Sequence, residues 1–230
     1  MKGTFWQTKV YRYIIFGCGL FVLLTIAAMF TYPGGNVKEE VTTGYDFFHN
    51  FFSDLGRIRV AGGESNLVSA SLFCVALTLA GLGLVGFFLA FRSFFLTDRT
   101  GQVLSTIGTV IGVISGLCFV GIAWAPYDVF FNVHYQLVFW AFRTFLFAVA
   151  IYALVIFRQR AYPRRYGWVF IVFTLFLAAY LVLLTYGPEA RSSAGLVIQA
   201  AGQKVIVYVS ILSVVAQSWL ALRFRRQPAM

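Results

Sequence analysis

Six stretches of roughly twenty predominantly apolar residues constrain this chain more than any other feature. They fall at about 13–31, 67–91, 103–124, 135–157, 166–186 and 195–222. A helix of about that length spans the hydrocarbon of a bilayer, where every backbone polar group must find its partner within the segment. With 60% hydrophobic and 11% charged residues and a mean hydropathy of +0.82, 230 residues cannot hide this much apolar surface inside a water-soluble globule. The expectation is an all-α integral membrane protein, one domain over 1–230, with six transmembrane helices. The first stretch follows Lys2, Lys9 and Arg12 as a secretory signal would, but its apolar run is too long and no small-residue cleavage site follows, so it counts as a span.

Positive charge in short flanking segments marks the cytoplasmic side. One side carries Lys2, Lys9, Arg12, Arg92, Arg99, Arg158, Arg160, Arg164, Arg165, Arg223, Arg225 and Arg226; the other has Lys38, Arg57, Arg59 and Arg191 with most of the acids. Both termini are therefore expected in the cytoplasm, in the cell membrane, with an extracytoplasmic loop at 33–65. Trp6, Trp124, Trp140, Tyr162, Trp168, Tyr186 and Trp219 fall at or near proposed boundaries, as an interfacial aromatic belt would. The net charge of +10 is scattered in short clusters with no continuous basic face, which argues against nucleic acid and for anionic lipid headgroups as partners. Cys18, Cys74 and Cys118 lie inside apolar runs and form neither a disulfide framework nor a CxxC metal site.

Small residues let membrane helices approach closely. Gly108, Gly112 and Gly116, beside Ser105 and Thr109, row up on the third span, and Gly81, Gly83 and Gly86 on the second. They read as packing between spans two and three, with homodimerisation or a cleft for an acyl chain as alternatives. The 26 Phe imply an aromatic lipid-facing surface.

Chemistry could sit on the loop side. Tyr45, Phe48, Phe52 and Leu55 recur at helical spacing, predicting a short amphipathic helix ended by Gly56. Asp54 shares a face with Phe47, Phe51 and Ile58 and needs a partner, as a cap or in a salt bridge to Arg57 or Arg59. After Pro126 closes span three, Asp128 and His134 lie near the start of span four. His49, Asp54, Asp128 and His134 thus share one side of the membrane. They could form a hydrogen-bond network, a headgroup site or an acid–base or metal site; His49, His134 and Asp128 are the metal candidates, with zinc the metal. Haem between His49 and His134 is a remoter option, and no cofactor is predicted.

Within the spans, Arg143 is the most informative residue, because an unpaired cation there costs several kcal/mol. Gln136 and Trp140 share its helical face, an expected polar inward stripe, and Gln199, Gln203 and Lys204 add polar steps on span six. Arg143 and Lys204 facing inward would form a positive pocket for a lipid phosphate or a carboxylate. Alternatively Arg143 pairs with Asp54 or Asp128 and locks the loop, or belongs to an ion or proton path.

The stretch Ser53-Asp54-Leu55-Gly56, the turn Pro126-x-Asp128 with His134 opening span four, and the step Gly202-Gln203-Lys204 in span six resemble the bacterial and archaeal six-helix family catalogued as domain of unknown function 998. That family is similar to the eukaryotic DRAM-like and glycosylphosphatidylinositol-remodelling membrane proteins. The resemblance covers nearly the whole chain, although Gln203-Lys204 stands where Gln-Arg or Glu-Arg is the expected step. It implies the six-helix fold and lipid handling rather than a particular reaction.

Three functions remain open. One is a lipid-binding protein of the outer leaflet, with Arg143 and Lys204 on the phosphate, Gln203 and Gln136 beside them, and Asp54, Asp128 and His134 at the rim. Another is an intramembrane lipid hydrolase or transferase using His134 and Asp128 as acid–base or metal residues. The third is a structural subunit of a larger membrane complex.

Overall fold

The computed structural model describes residues 9–159 and 162–226, so Lys2, Trp6 and Arg160 lie outside the described residues. Six long helices carry the fold: α1 (Val10–Thr31), α2 (Leu67–Phe91), α3 (Arg99–Trp124), α4 (Phe131–Arg158), α5 (Gly167–Tyr186) and α6 (Ser193–Arg226). All six coincide with segments long and apolar enough to cross a membrane. Most run up to a few residues past the apolar stretch, because backbone hydrogen bonding continues into the polar residues at each end. Among the described residues there is no strand, only one isolated bridge between Arg59 and Ser65.

Prolines set several boundaries. The residue before a proline is pushed out of the helical region, and α1, α3 and α5 are followed by such residues: Tyr32, Ala125 and Gly187, each non-helical and preceding Pro33, Pro126 and Pro188. Each helix packs on its neighbours in sequence and α6 closes back on α1, so the six form a ring.

The α2–α3 seam is backbone on backbone. A Cβ at Gly81 would lie 2.6 Å from the Gly116 carbonyl oxygen, and one at Gly116 2.8 Å from that of Gly81. Gly112 makes room for the Phe88 ring and Gly108 for Tyr152 of α4. The Tyr152 hydroxyl is 2.6 Å from Thr109 Oγ1 and donates to the Ser105 carbonyl at 3.1 Å. The third-span glycines therefore pack spans within one chain.

The phenylalanines differ from expectation. Phe87, Phe88, Phe91, Phe95, Phe170 and Phe173 are among the largest fully buried side chains. Phe170 meets Phe87 and Phe91 edge-on, Phe91 meets Phe95 and Tyr162 edge-on, and Phe95 tilts against Tyr152, in the half of the bundle nearer the termini. Edge-to-face rings fill a gap between helices and gain energy beyond simple burial, which explains why Phe is spent inside as well as towards lipid.

Candidate functional site

Between α1 and α2 the chain folds back into the mouth of the ring. The predicted amphipathic helix does not form. Instead Asp46 Oδ1 accepts the N–H groups of Phe48 at 2.8 Å and His49 at 3.2 Å, and Asn50 Oδ1 accepts the Asp46 N–H at 2.9 Å. Such short side chains offer the backbone an alternative to helix, leaving a turn followed by a 3-10 helix at Phe52–Gly56. Phe48 is consequently exposed, while Phe52 and Leu55 are buried, Phe52 stacking on Phe21 of α1 at 6.0 Å. Two backbone turns before it demand glycine: Gly34 and Gly35 have φ of 144° and 80°, and a Cβ at Gly34 would strike the Thr42 carbonyl.

Asp54 is buried and both caps and pairs. Its Oδ2 accepts the Phe51 N–H at 2.8 Å and Asn50 Nδ2 at 3.3 Å, and Oδ1 lies 3.6 Å from Arg57, not Arg59. Burial pushes its carboxyl above the ordinary 3.8, opposed by Arg57, the Phe51 and Asn50 hydrogen bonds and Lys204. Burial first, and the Asp54 charge second, also raise the Tyr32 and Tyr45 hydroxyls.

Span six holds this plug from below. Gln203 Oε1 accepts the Phe52 N–H at 2.6 Å, and the buried Lys204 Nζ donates to the carbonyls of Asn50 and, at 3.3 Å, Ala200. Rings of Tyr45 and Phe47 flank the ammonium at 5.4 and 5.1 Å. Asn50 is the hub that reading the sequence missed: its side chain also donates to the Gly35 carbonyl at 2.7 Å. Asp128 secures the far end of the plug, accepting the N–H groups of Ile58 and Arg59 at 3.0 and 2.9 Å.

Arg143 stands elsewhere. At about 100° per residue, His134, Val138, Phe142 and Phe145 share the face of α4 that lines the interior, so Gln136, Trp140 and Arg143 fall on the opposite one. Gln136 and Trp140 are exposed accordingly. The polar stripe exists but does not face inward, because the apolar spacing on the other side decides which face is buried. Arg143 lays its guanidinium over Phe139, 3.2 Å from the ring centroid, and its Nη1 is buried without a hydrogen-bond partner. Neither Asp54 nor Asp128 forms an ion pair with it, and it shares no pocket with Lys204.

The histidines are also apart. His49 Nδ1 is 2.9 Å from Asp46 Oδ2 at the loop surface, whereas buried His134 sits 2.7 Å from the Ala125 carbonyl. A carbonyl only accepts, so Nδ1 of His134 donates and the neutral ring keeps Nε2 as an acceptor. Among the described residues no three His, Cys, Asp or Glu side chains gather as a metal site.

Below the plug lies a cavity of about 420 Å³, within the usual range for a ligand pocket. Its lining runs from Val10 to Phe21 on α1, His134 to Phe145 on α4 and Gln203 to Val214 on α6, about 16 Å along each helix. The walls are mainly apolar, with Tyr13, Cys18, Ser53, His134, Gln203 and Ser210 as the polar exceptions, and among the described residues no charged side chain takes part. Tyr13 and Phe16 of α1 and Leu79 and Leu82 of α2 line the same space from exposed positions, so it opens sideways between α1 and α2. Glycines keep that seam open. A Cβ at Gly17 or Gly83 would meet no atom within 4 Å, and one at Gly86 only a Val10 methyl at 3.7 Å. Gly81 thus packs α3 while Gly83 and Gly86 face the gap.

Among the described residues, fold and cavity together define an all-helical bundle with six helices long and apolar enough to cross a membrane and a chamber open through its wall. No family model, no curated protein and no solved structure matches the chain.

Proposed function

We propose that this chain is a lipid-binding protein of the cell membrane that admits a lipid from the bilayer through the α1–α2 seam into its central cavity. The observation that carries this reading is the apolar, uncharged chamber reached through a gap lined by Gly17, Gly83 and Gly86. In a bilayer the medium at that gap is lipid tails. A dry apolar space of this size favours a hydrocarbon chain over water, which needs several polar partners to reside there.

The excess of Lys and Arg beside the termini supports a cytoplasmic location for that side and an extracytoplasmic one for the plug. Tyr13 and Phe16 lie in the first turns of α1, and Gly83 and Gly86 in the last turns of α2. The seam therefore opens in the cytoplasmic half of the bilayer, and the plug closes the chamber from the other side. A phosphate held by Arg143 and Lys204 has no support in this geometry, since one faces away and the other is occupied by the loop.

Gly83→Leu tests the proposal, because the new side chain enters open space instead of striking a neighbour. Native mass spectrometry of protein purified in mild detergent is expected to find lipid on the wild type and a large loss of it on the variant at unchanged thermal stability. Equal lipid on both proteins would refute it.

A further inference from the structure

The proposed chamber is not uniformly greasy: three of its polar side chains gather at one end, while Ser210 lies about 10 Å further along α6. Ser53 borders the plug, Gln203 is tied to it through Phe52, and His134 lies in the first turn of α4. The opposite end, at Val10, Ile14 and Gly86, is apolar, with the largely exposed Tyr13 beside it, and leads to the seam. A lipid entering there with its chains trailing would bring its head towards Ser53, Gln203 and His134.

The chemistry left unused at that end is specific. His134 Nδ1 is committed to Ala125, which leaves Nε2 as an acceptor. Gln203 Oε1 is committed to the Phe52 N–H, which leaves the amide NH2 as a donor. Ser53 Oγ can act either way. A hydroxyl both donates and accepts, and so matches one free acceptor and one free donor together. A phosphate or carboxylate carries only lone pairs and a charge, and among the described residues no Lys or Arg lines the cavity to balance it. Burying an unpaired charge costs far more than burying a hydrogen-bonded hydroxyl.

Resting on the proposed lipid-binding role, we infer that the ligand class is an uncharged lipid with a hydroxyl head on long hydrocarbon chains, its head held by His134, Gln203 and Ser53 at the plug and its chains leaving through the α1–α2 seam. The plug then serves as the inner wall of a head pocket, and Asp54, Lys204 and Asn50 act on the ligand only by positioning Phe52, Ser53 and Gln203.

Two probes that differ only in the head test this. Purified, delipidated protein is mixed with dioleoylglycerol or with dioleoylphosphatidate, and retention is read by native mass spectrometry on the wild type, on Gly83→Leu and on His134→Leu. The expected result is retention of dioleoylglycerol over dioleoylphosphatidate by more than about a hundredfold. That retention is lost in Gly83→Leu and reduced about tenfold in a folded His134→Leu. If both lipids are held alike and both are lost in Gly83→Leu, the chamber binds lipid but the inference about the head is overturned. If neither is held, or retention ignores Gly83→Leu, both the inference and the lipid-binding role fall. The wild-type comparison decides the point even if His134→Leu does not fold.

Discussion

The ammonium of Lys204 in α6 donates to the carbonyl of Asn50 in the plug, residues 154 positions apart in sequence. Lys204 is only 1% exposed. The contact turns a loop that could lie on the membrane surface into a lid pressed into the helix ring. It also fixes Gln203, one residue earlier, against the Phe52 N–H.

Lys204→Met keeps the length of the side chain and removes the donor. A hydrogen bond to a charged group contributes about 1.5–3 kcal/mol, so the variant is expected to melt several degrees lower and to be cut faster by protease in the exposed segment 37–41. A higher melting temperature would show that burying the ammonium costs more than its hydrogen bonds return, and that the clamp does not hold the plug.

The Asp54 carboxyl is a pH probe of the same contact. Burial raises its folded value above the ordinary 3.8, so from about pH 4 upward the folded protein holds a proton that the unfolded chain has released. The contribution of Asp54 to stability is therefore greatest at low pH, declines as pH rises through the folded value, and is level above it. Melting temperatures measured from pH 4 to 8 should show the wild type losing ground to Asp54→Asn with rising pH. The opposite slope would mean that Arg57 and Lys204 outweigh burial.

Arg143 faces away from the chamber and lacks a partner for Nη1. Arg143→Leu removes from the apolar zone a cation that rests on the Phe139 ring but is paired with neither Asp54 nor Asp128, a change worth a few kcal/mol, and is expected to raise the melting temperature while leaving bound lipid unchanged. Loss of lipid from this variant would return Arg143 to the binding site.

What could be read in the sequence divides along physical lines. Span number and position follow from apolar run length, and Pro33, Pro126 and Pro188 mark helix ends because their effect on the preceding residue is local. The glycine row from Gly108 to Gly116 was legible as a packing face for the same reason. The 3.6-residue period correctly grouped Gln136, Trp140 and Arg143, but a period says which residues share a face and not which way it turns. For α4 that was settled by His134, Val138, Phe142 and Phe145 meeting the other helices. Likewise Gly81, Gly83 and Gly86 look alike in sequence, yet a Cβ meets backbone at Gly81 and open space at Gly83. The Asn50–Lys204 contact carried no signal at all, since nothing local ties a loop asparagine to a lysine on the last helix.

The chamber itself can be tested from within. Phe142 is 4% exposed and lines the cavity, so lipid on the outside of the bundle does not reach it, whereas a chain inside the chamber would touch it. The decisive measurement is photo-crosslinking in vesicles with a lipid bearing a diazirine along its acyl chain, followed by peptide mapping of the labelled sites. The account predicts labelling of Phe142 and its cavity neighbours Val138 and Val207 in the wild type and its disappearance in Gly83→Leu. Labelling confined to outward residues such as Phe30, Phe147 and Leu212, with Phe142 untouched, would contradict it.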